Sequence, residues 1–280
     1  MCPIVFKIGP IFIYSYGLMI GIGVVMAMWL SERNAKKEGL NHLKILDLML
    51  VVFLASILGG RLARVSLDWS NYASNPLKIF KIWEGGFDFY GGLILAIPVG
   101  VWYLQKNRLP VLKTVDLVMT YVPLAHAFGR IGCFLEGCCY GTLTTVPWAV
   151  RFPKWFSATD GIIGTPAFIQ HINMHLIDSS ATLSLPVHPT QLYSSLYLFI
   201  IFFILVILRK HKHFNGEILS AYFILYAIDR FLIEFLRGDA QKNFFGISLY
   251  QLCSIVFFIS GIILMIVFSQ RKQYEKGQKT

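Results

Sequence analysis

Two arginines stand inside stretches otherwise apolar enough for a bilayer. Arg130 lies in His126-Ala127-Phe128-Gly129-Arg130-Ile131-Gly132, and Arg230 in Tyr226-Ala227-Ile228-Asp229-Arg230. A charged side chain at membrane depth costs about 2.5–3.5 kcal/mol on insertion scales, so it faces a cavity, a partner or a ligand. The guanidinium is a planar fork that matches phosphate, and a phospholipid head group is the anion available at that depth. The competing reading is ion pairing within the protein. Glu234 is placed i,i+4 from Arg230 on one helical face. Glu136, Arg237, Asp239 and Arg61 sit nearer span ends, where a charge is less demanding.

Glycine pairs accompany these cations: Gly59-Gly60 before Arg61, Gly85-Gly86, Gly91-Gly92, and Gly129 and Gly132 around Arg130. One such pair would be read as close helix packing. Their recurrence beside arginines points instead to backbone approaching a bound group. Cys133, Cys138 and Cys139 follow directly after Arg130. Three thiols and His126 are a conceivable metal set. The run holds no C-x-x-C pair and its spacing is poor, so no metal and no cofactor is expected. Cys133 reads as a small buried hydrophobe, and a neighbouring cation such as Arg130 favours thiolate. A disulfide through Cys138 or Cys139 stays open, while Cys2 and Cys253 carry no expected role.

The elements that must hold these residues are membrane helices. Of 280 residues, 56% are hydrophobic and 14% charged, against roughly 25% charged in an ordinary soluble domain. Mean hydropathy is +0.61. An aromatic content of 15% excludes a disordered chain. The expected fold class is all-α: a polytopic membrane protein of about seven transmembrane helices. The apolar runs are 12–30, 45–62, 87–104, 115–134, 191–208, 217–236 and 247–268, each near the ~20 residues a bilayer requires. No cleavable signal peptide is read at the start. No soluble domain carries a basic face, so the net charge of +10 reflects loop arginines and lysines, not nucleic-acid binding.

Orientation follows from those loops. With the N-terminus outside, basic residues gather in the inner segments, as Arg33-Lys36-Lys37-Lys44, Lys106-Arg108-Lys113, Arg209-Lys210-Lys212 and the tail. Outer segments hold fewer over greater length, which favours N-out and C-in. The two long outer segments, 63–86 and 141–189, are expected to include a small cap on the outer face. Residues 1–268 are expected to form one integral-membrane domain, and 269–280 a basic cytoplasmic tail.

Several segments, in order, make the chain resemble the bacterial prolipoprotein diacylglyceryl transferase family. They are Ser15-Tyr16-Gly17-Leu18, Gly59-Gly60-Arg61-Leu62, Trp83-Glu84-Gly85-Gly86, Tyr90-Gly91-Gly92-Leu93-Ile94, the 126–132 run, Pro147-Trp148, His188-Pro189-Thr190-Gln191-Leu192-Tyr193, the 226–230 run, Glu234-Phe235-Leu236-Arg237-Gly238-Asp239, and Ser248 with Gln251. The resemblance implies an inner-membrane enzyme that moves the diacylglyceryl group of phosphatidylglycerol onto a lipobox cysteine of a preprotein, with glycerol phosphate leaving. Its implied partners are phosphatidylglycerol, lipobox-containing preproteins and the bilayer. It implies that Arg130 and Arg230 hold the phosphate, that Tyr16 and Tyr226 line the site, and that the Tyr90-Gly91-Gly92 turn lies near the reacting centre. The expected catalytic set is Arg130, Arg230, Tyr90, Tyr16 and Glu136. The expected substrate-binding set is Arg130, Gly91, Gly92, Arg61, Tyr226, Glu234, Arg237, His188 and Gln191.

The chain departs from the family pattern at four places. Tyr90 stands where many relatives have His, and a tyrosine near pKa 10 is a poorer base. Cys133 and Cys138 replace the usual Asn and Glu, while a carboxylate appears two positions earlier at Glu136. Two positions on a helix are about 200° apart, so Glu136 substitutes only if the segment is unwound. Alternatives therefore stay open: a paralogue passing a glycerophospholipid-derived group to another acceptor, a non-enzymatic lipid-binding or transport protein, or a thiol-redox membrane protein using Cys138 and Cys139.

Overall fold

The computed structural model describes residues 4–8, 11–81, 86–157, 161–239, 242–244 and 246–277. Cys2 and Trp83-Glu84-Gly85 lie outside the described residues. Helices carry the fold: α1 (Ser15–Lys37), α2 (His42–Leu67), α3 (Trp69–Ala73), α4 (Phe89–Lys106), α5 (Val111–Met119), α6 (Val122–Glu136), α7 (Pro166–Asn173), α8 (Thr190–Lys210), α9 (Glu217–Glu234) and α10 (Leu249–Gly277). Three antiparallel hairpins are peripheral to them: β1 (Ile4–Ile8) with β2 (Ile11–Tyr14), β3 (Lys154–Ser157) with β4 (Gly161–Gly164), and β5 (Lys242–Phe244) with β6 (Ile247–Ser248).

Among the described residues, five helical segments are long and apolar enough to cross a membrane: Ser15–Lys37, His42–Leu67, Val111–Glu136, Thr190–Lys210 and Leu249–Lys272. The third spans α5 and α6, which are separated by a break at Thr120 and Tyr121 and restarted through Pro123 in the first turn of α6. Proline suits that first turn because its missing N–H has no intrahelical partner there. The expected runs 87–104 and 217–236 fold as α4 and α9. Each has 18 residues. The first ends in polar residues, and the second carries Glu217, Asp229, Arg230 and Glu234.

The chain forms two compact units, Met28–Val118 and Met1–Ala27 with Met119–Thr280. In the first, α2 packs on α4. Asn41 caps α2 by accepting from Lys44 N at 3.2 Å, and Asp88 caps α4 by accepting from Gly91 N at 2.8 Å. The helices meet through their glycines. A Cβ on Gly60 would lie 2.9 Å from Asp88 O, and one on Gly92 would lie 3.0 Å from Ser56 O. A Cβ on Gly59 would run into the backbone of Gly91. At these four positions the glycines serve close backbone approach between helices, which corrects the expectation that they leave backbone open to a bound group.

In the second unit α6 packs on α8, α8 on α9, and α9 on α10. Ala127, Leu198, Ile201, Leu205, Ile218 and Tyr222 form its core. Segment 141–189 folds around Tyr140, Phe152, Ala167 and Val187. It is tied by bridges of Leu143 and Val150 to Val187 and of Pro153 to Leu183. Large apolar side chains such as Val25, Leu196, Phe203, Ile207 and Ile263 stay exposed on α1, α8 and α10, as lipid-facing positions do.

Candidate functional site

The centre of interest lies where α6 and α9 present polar residues to each other. On α6, His126, Arg130 and Cys133 succeed one another at i, i+4 and i+7, so one stripe carries all three. On α9, Tyr226, Arg230 and Glu234 stand at i, i+4 and i+8, again along one stripe. The rings of His126 and Tyr226 lie 5.3 Å apart, and Tyr226 stacks on Tyr222 at 5.7 Å. Both guanidiniums, of Arg130 and of Arg230, act electrostatically on His126 and on Asp229. The two arginines therefore share one neighbourhood.

Their situations differ. Arg230 is buried, its Nη1 2.7 Å from Glu234 Oε2, and its Cζ lies 4.4 Å from the Tyr250 ring centre. The contact to Glu234 is an ion pair without hydrogen-bond alignment, since neither atom satisfies the geometry of one. Glu234 Oε1 accepts from Ser248 Oγ at 2.8 Å, and Ser248 is fixed by Gln251, whose Oε1 accepts from Ser248 N at 3.0 Å. Arg130, in contrast, holds its Nε buried with no hydrogen-bond partner. A buried N–H of a cation without a partner is an expensive arrangement, and a bound anion removes that cost. Asp229 Oδ2 is likewise buried without a partner. The sequence assigns no site role to Asp229, Tyr250 or Ser248. Asp229 was legible as a carboxylate in an apolar run, but the ring under Arg230 comes from α10 and carried no local signal.

Tyr16, at the start of α1, rests on Gly132, where a Cβ would lie 3.1 Å from the tyrosine ring and 3.2 Å from its backbone. Its side chain is half-exposed, at 41%. Gly129 is less crowded: beyond its own helix, a Cβ there would meet Ile20 at 3.9 Å, an ordinary contact. Glu136 is the last residue of α6, half-buried. The helix ends on Gly137 in the left-handed region, φ 82°. Cys138 therefore does not follow Glu136 along a helix, and the 200° separation of two helical positions does not apply here.

That turn gathers the thiols. Gly137 N and Cys138 N both donate to Cys133 O, at 2.9 and 3.2 Å, and Cys139 is itself left-handed, φ 59°. A non-glycine residue there costs roughly 1–2 kcal/mol and persists where its surroundings hold it. The holding groups come from the first turn of α8: Gln191 Nε2 donates to Cys138 O and Thr190 Oγ1 to Cys139 O, each at 2.7 Å. The three Sγ atoms lie within 4.8 Å of one another. Poor spacing in the sequence speaks against a metal set, yet two backbone reversals, at Gly137 and at Cys139, bring the thiols together. His126 is not part of the group. Hydrogen bonds from Cys133 and Cys138, then the Arg237 and Arg130 guanidiniums, hold Cys139 below a thiol's ordinary range. Its neighbours Cys133 and Cys139 push Cys138 up.

The remaining expected site residues are tied to this turn or to the other unit. Arg237 grips Asp239 through Nε at 2.8 Å and Nη2 at 2.6 Å. Burial opposes its charge, and the Asp239 bonds outweigh that and hold its pKa above the usual arginine range. Its segment pairs with the chain just after the thiols, Thr142 N donating to Leu236 O at 2.7 Å and Gly238 N to Tyr140 O at 3.0 Å. His188 O accepts from Gly141 N at 3.0 Å, while its Nδ1 lies 3.3 Å from Tyr193 Oη, which also accepts from Trp148 Nε1 at 2.7 Å. Arg61, Tyr90, Gly91 and Gly92 belong to the unit Met28–Val118. There Arg61 donates from Nε to Ile79 O at 3.0 Å and from Nη1 to Gly86 O at 3.1 Å, with Lys78 O a further partner, and stacks near Tyr72 and Phe87. It anchors the chain between α3 and α4. Tyr90 is half-exposed, edge-on to Phe89.

The model of the family described as prolipoprotein diacylglyceryl transferase matches residues 3–267. The phosphatidylglycerol–prolipoprotein diacylglyceryl transferase of Clostridium tetani is 36% identical over 273 residues, covering 98% of this chain and all of the relative. A second enzyme of that name from Clostridium perfringens is 34% identical over 97% of this chain and 98% of its own. The one from Sodalis glossinidius is 36% identical over 94% and 91%. Matched along nearly its whole length by the family and by these relatives, the chain belongs to the prolipoprotein diacylglyceryl transferase family.

Proposed function

We propose that this chain transfers the diacylglyceryl group of phosphatidylglycerol to the thiol of a lipobox cysteine in a preprotein, releasing glycerol phosphate. The observation that carries the reading is the family match over residues 3–267, joined by relatives bearing that activity in their names at full coverage. The acceptor thiol gives up its proton to solvent, and its sulfur attacks the glycerol carbon of the lipid. The C–S bond forms as the C–O bond to phosphate breaks, and the electron pair leaves with the phosphate. Charge develops on that phosphate where water is scarce, and fixed guanidinium donors stabilise it there. Arg130, with its unpartnered buried Nε, is the group to receive it. Arg230 stands in the same neighbourhood, its charge held by Glu234 until a second anion competes. Tyr16 and Tyr226 line the site, and Glu136 stands at its edge.

In this reading α4 and α9 are the third and sixth of seven spans, the N-terminus is outside and the C-terminus inside. The protein is then one multi-pass domain of the bacterial inner membrane with a basic tail. The sequence supports this through the loop bias toward one face. The test is release of glycerol phosphate from phosphatidylglycerol by the purified protein with a lipobox peptide. No release, with wild-type protein folded in lipid, refutes the reading.

A further inference from the structure

The clustered thiols are not used by this mechanism, yet the fold places them with care. We propose that Cys133, Cys138 and Cys139 form a three-thiolate site for one Zn²⁺, and that its open fourth position takes the thiol of the incoming acceptor. The metal site stands on its own geometry. The role of the fourth position rests on the transfer reading above.

The sulfurs lie within 4.8 Å of one another. Zn–S bonds of ~2.3 Å place sulfurs of a tetrahedral site about 3.8 Å apart, so at most ~1 Å remains to be closed. The side chains are half-buried and free thiols. Their backbone is held from outside the cluster, by Thr190 and Gln191 on the carbonyls of Cys139 and Cys138. A loop fixed in this way presents its ligands without ordering them anew. An all-sulfur set selects a soft cation such as Zn²⁺, not a hard one. Three thiolates around Zn²⁺ carry a net charge of −1. Arg130 stands one turn before Cys133 on α6, and both Arg130 and Arg237 act electrostatically on Cys139. The charge is therefore met by cations already present.

Three protein ligands with one open position is the pattern of a working zinc site, whereas structural sites close all four. A thiol entering that position loses its proton to solvent on coordination, because a metal-bound thiol is deprotonated outright. The bound sulfur then attacks the glycerol carbon, forming C–S while the C–O bond breaks and its electron pair leaves on the phosphate. The thioether product is neutral, a weaker ligand than thiolate, and departs. The site would supply the nucleophile activation that neither Tyr90 nor an unaided thiol near pKa 8.5 provides.

The experiment uses the full-length protein in lipid nanodiscs, reduced and loaded with Zn²⁺ or Co²⁺. The expected result is one metal per chain by mass spectrometry, with thiolate-to-cobalt charge-transfer absorption. C133S, C138S and C139S should each weaken metal binding by at least the roughly 10–100-fold that losing an outer-shell partner costs, while C253S leaves it intact. In unmutated protein, one equivalent of Zn²⁺ should shield these three cysteines from alkylation and leave Cys253 reactive, a readout that does not depend on how variants fold. A peptide with one cysteine should alter the cobalt spectrum, and its serine counterpart should not. Absence of stoichiometric metal under reducing conditions overturns the proposal, as does metal retained by the triple serine variant. A mass 2 Da low in protein isolated from cells, marking a disulfide in the cluster, overturns it as well. Metal-free protein that releases glycerol phosphate at the full rate overturns the role of the fourth position while sparing the transferase reading. Metal-loaded protein that binds the peptide thiol but transfers nothing refutes the transferase reading and leaves the metal site standing.

Discussion

Arg230 Nη1 lies 2.7 Å from Glu234 Oε2, one turn along the same helix, with both side chains buried. The pair fixes where a positive charge can be offered and how firmly. Glu234 is also the acceptor for Ser248 Oγ, so the pair links α9 to the start of α10. Breaking a buried pair from one side leaves the other charge uncompensated, at roughly 3–5 kcal/mol. Glu234→Ala should therefore destabilise strongly, while Glu234→Gln, which keeps an acceptor for Ser248, loses less. Thermal unfolding in a fixed detergent checks the order. Equal melting temperatures for the two variants would remove the pair from the account.

Arg130 offers the complementary case. Its Nε has no hydrogen-bond partner inside the protein, but its charge acts on Asp229 and Cys139, so Arg130→Ala removes a cation that those groups face. Stability should fall by about 0.5–3 kcal/mol, through the cavity left behind and the lost charge. Glycerol phosphate release should fall by about 100-fold or more, the scale of losing one fixed donor to a developing anion. Arg130→Lys should remain poor because the fork geometry is gone. Unfolding measurements beside turnover separate the two effects. An Ala variant that turns over normally would end the phosphate-binding role.

Glycines that look alike in sequence have unlike surroundings. A Cβ on Gly60 meets the backbone of Asp88 at 2.9 Å, whereas one on Gly129 has only Ile20 at 3.9 Å. Gly60→Ala should cost about 1–3 kcal/mol through forced separation of α2 and α4. Gly129→Ala meets no steric obstacle in α6 and should gain up to about 1 kcal/mol of helix propensity. A drop in activity for Gly129→Ala without a drop in stability would then mark its face of α6 as ground the substrate occupies.

Those glycines show where sequence reading runs out. The helices were legible because apolar runs of membrane length are dictated by the solvent they sit in: 191–208 became Thr190–Lys210, and 45–62 became His42–Leu67. Arg130 and Arg230 were legible because charge is rare at that depth. What Gly59 and Gly91 do depends on which helix lies opposite, a long-range fact. The three hairpins were missed for a related reason, since segments such as Ile11–Tyr14 read as the apolar start of α1 and differ only in pairing back on Ile4–Ile8. The thiol cluster was hidden by φ 82° at Gly137 and 59° at Cys139. Left-handed glycine at a helix end is ordinary, but a second reversal on a cysteine depends on bonds from Thr190 and Gln191, about fifty residues away.

His171 gives segment 141–189 a dependence on pH. It is buried on α7, edge-on to Tyr140 at 5.9 Å, and its Nδ1 accepts from Leu185 N at 3.2 Å. That bond requires the neutral ring, and burial lowers the pKa from the ordinary value of 6.5. The unfolded segment therefore binds a proton at a pH where the folded one does not. Stability from this group is complete above about 6.5 and is lost as pH falls through that value toward the lower folded pKa. Proteolysis within 141–189, followed from pH 7.5 to 5, should accelerate as the pH falls. His171→Gln, which cannot take up the proton, should flatten the slope even if it lowers stability at neutral pH. A slope unchanged in that variant would assign the acid sensitivity to another group.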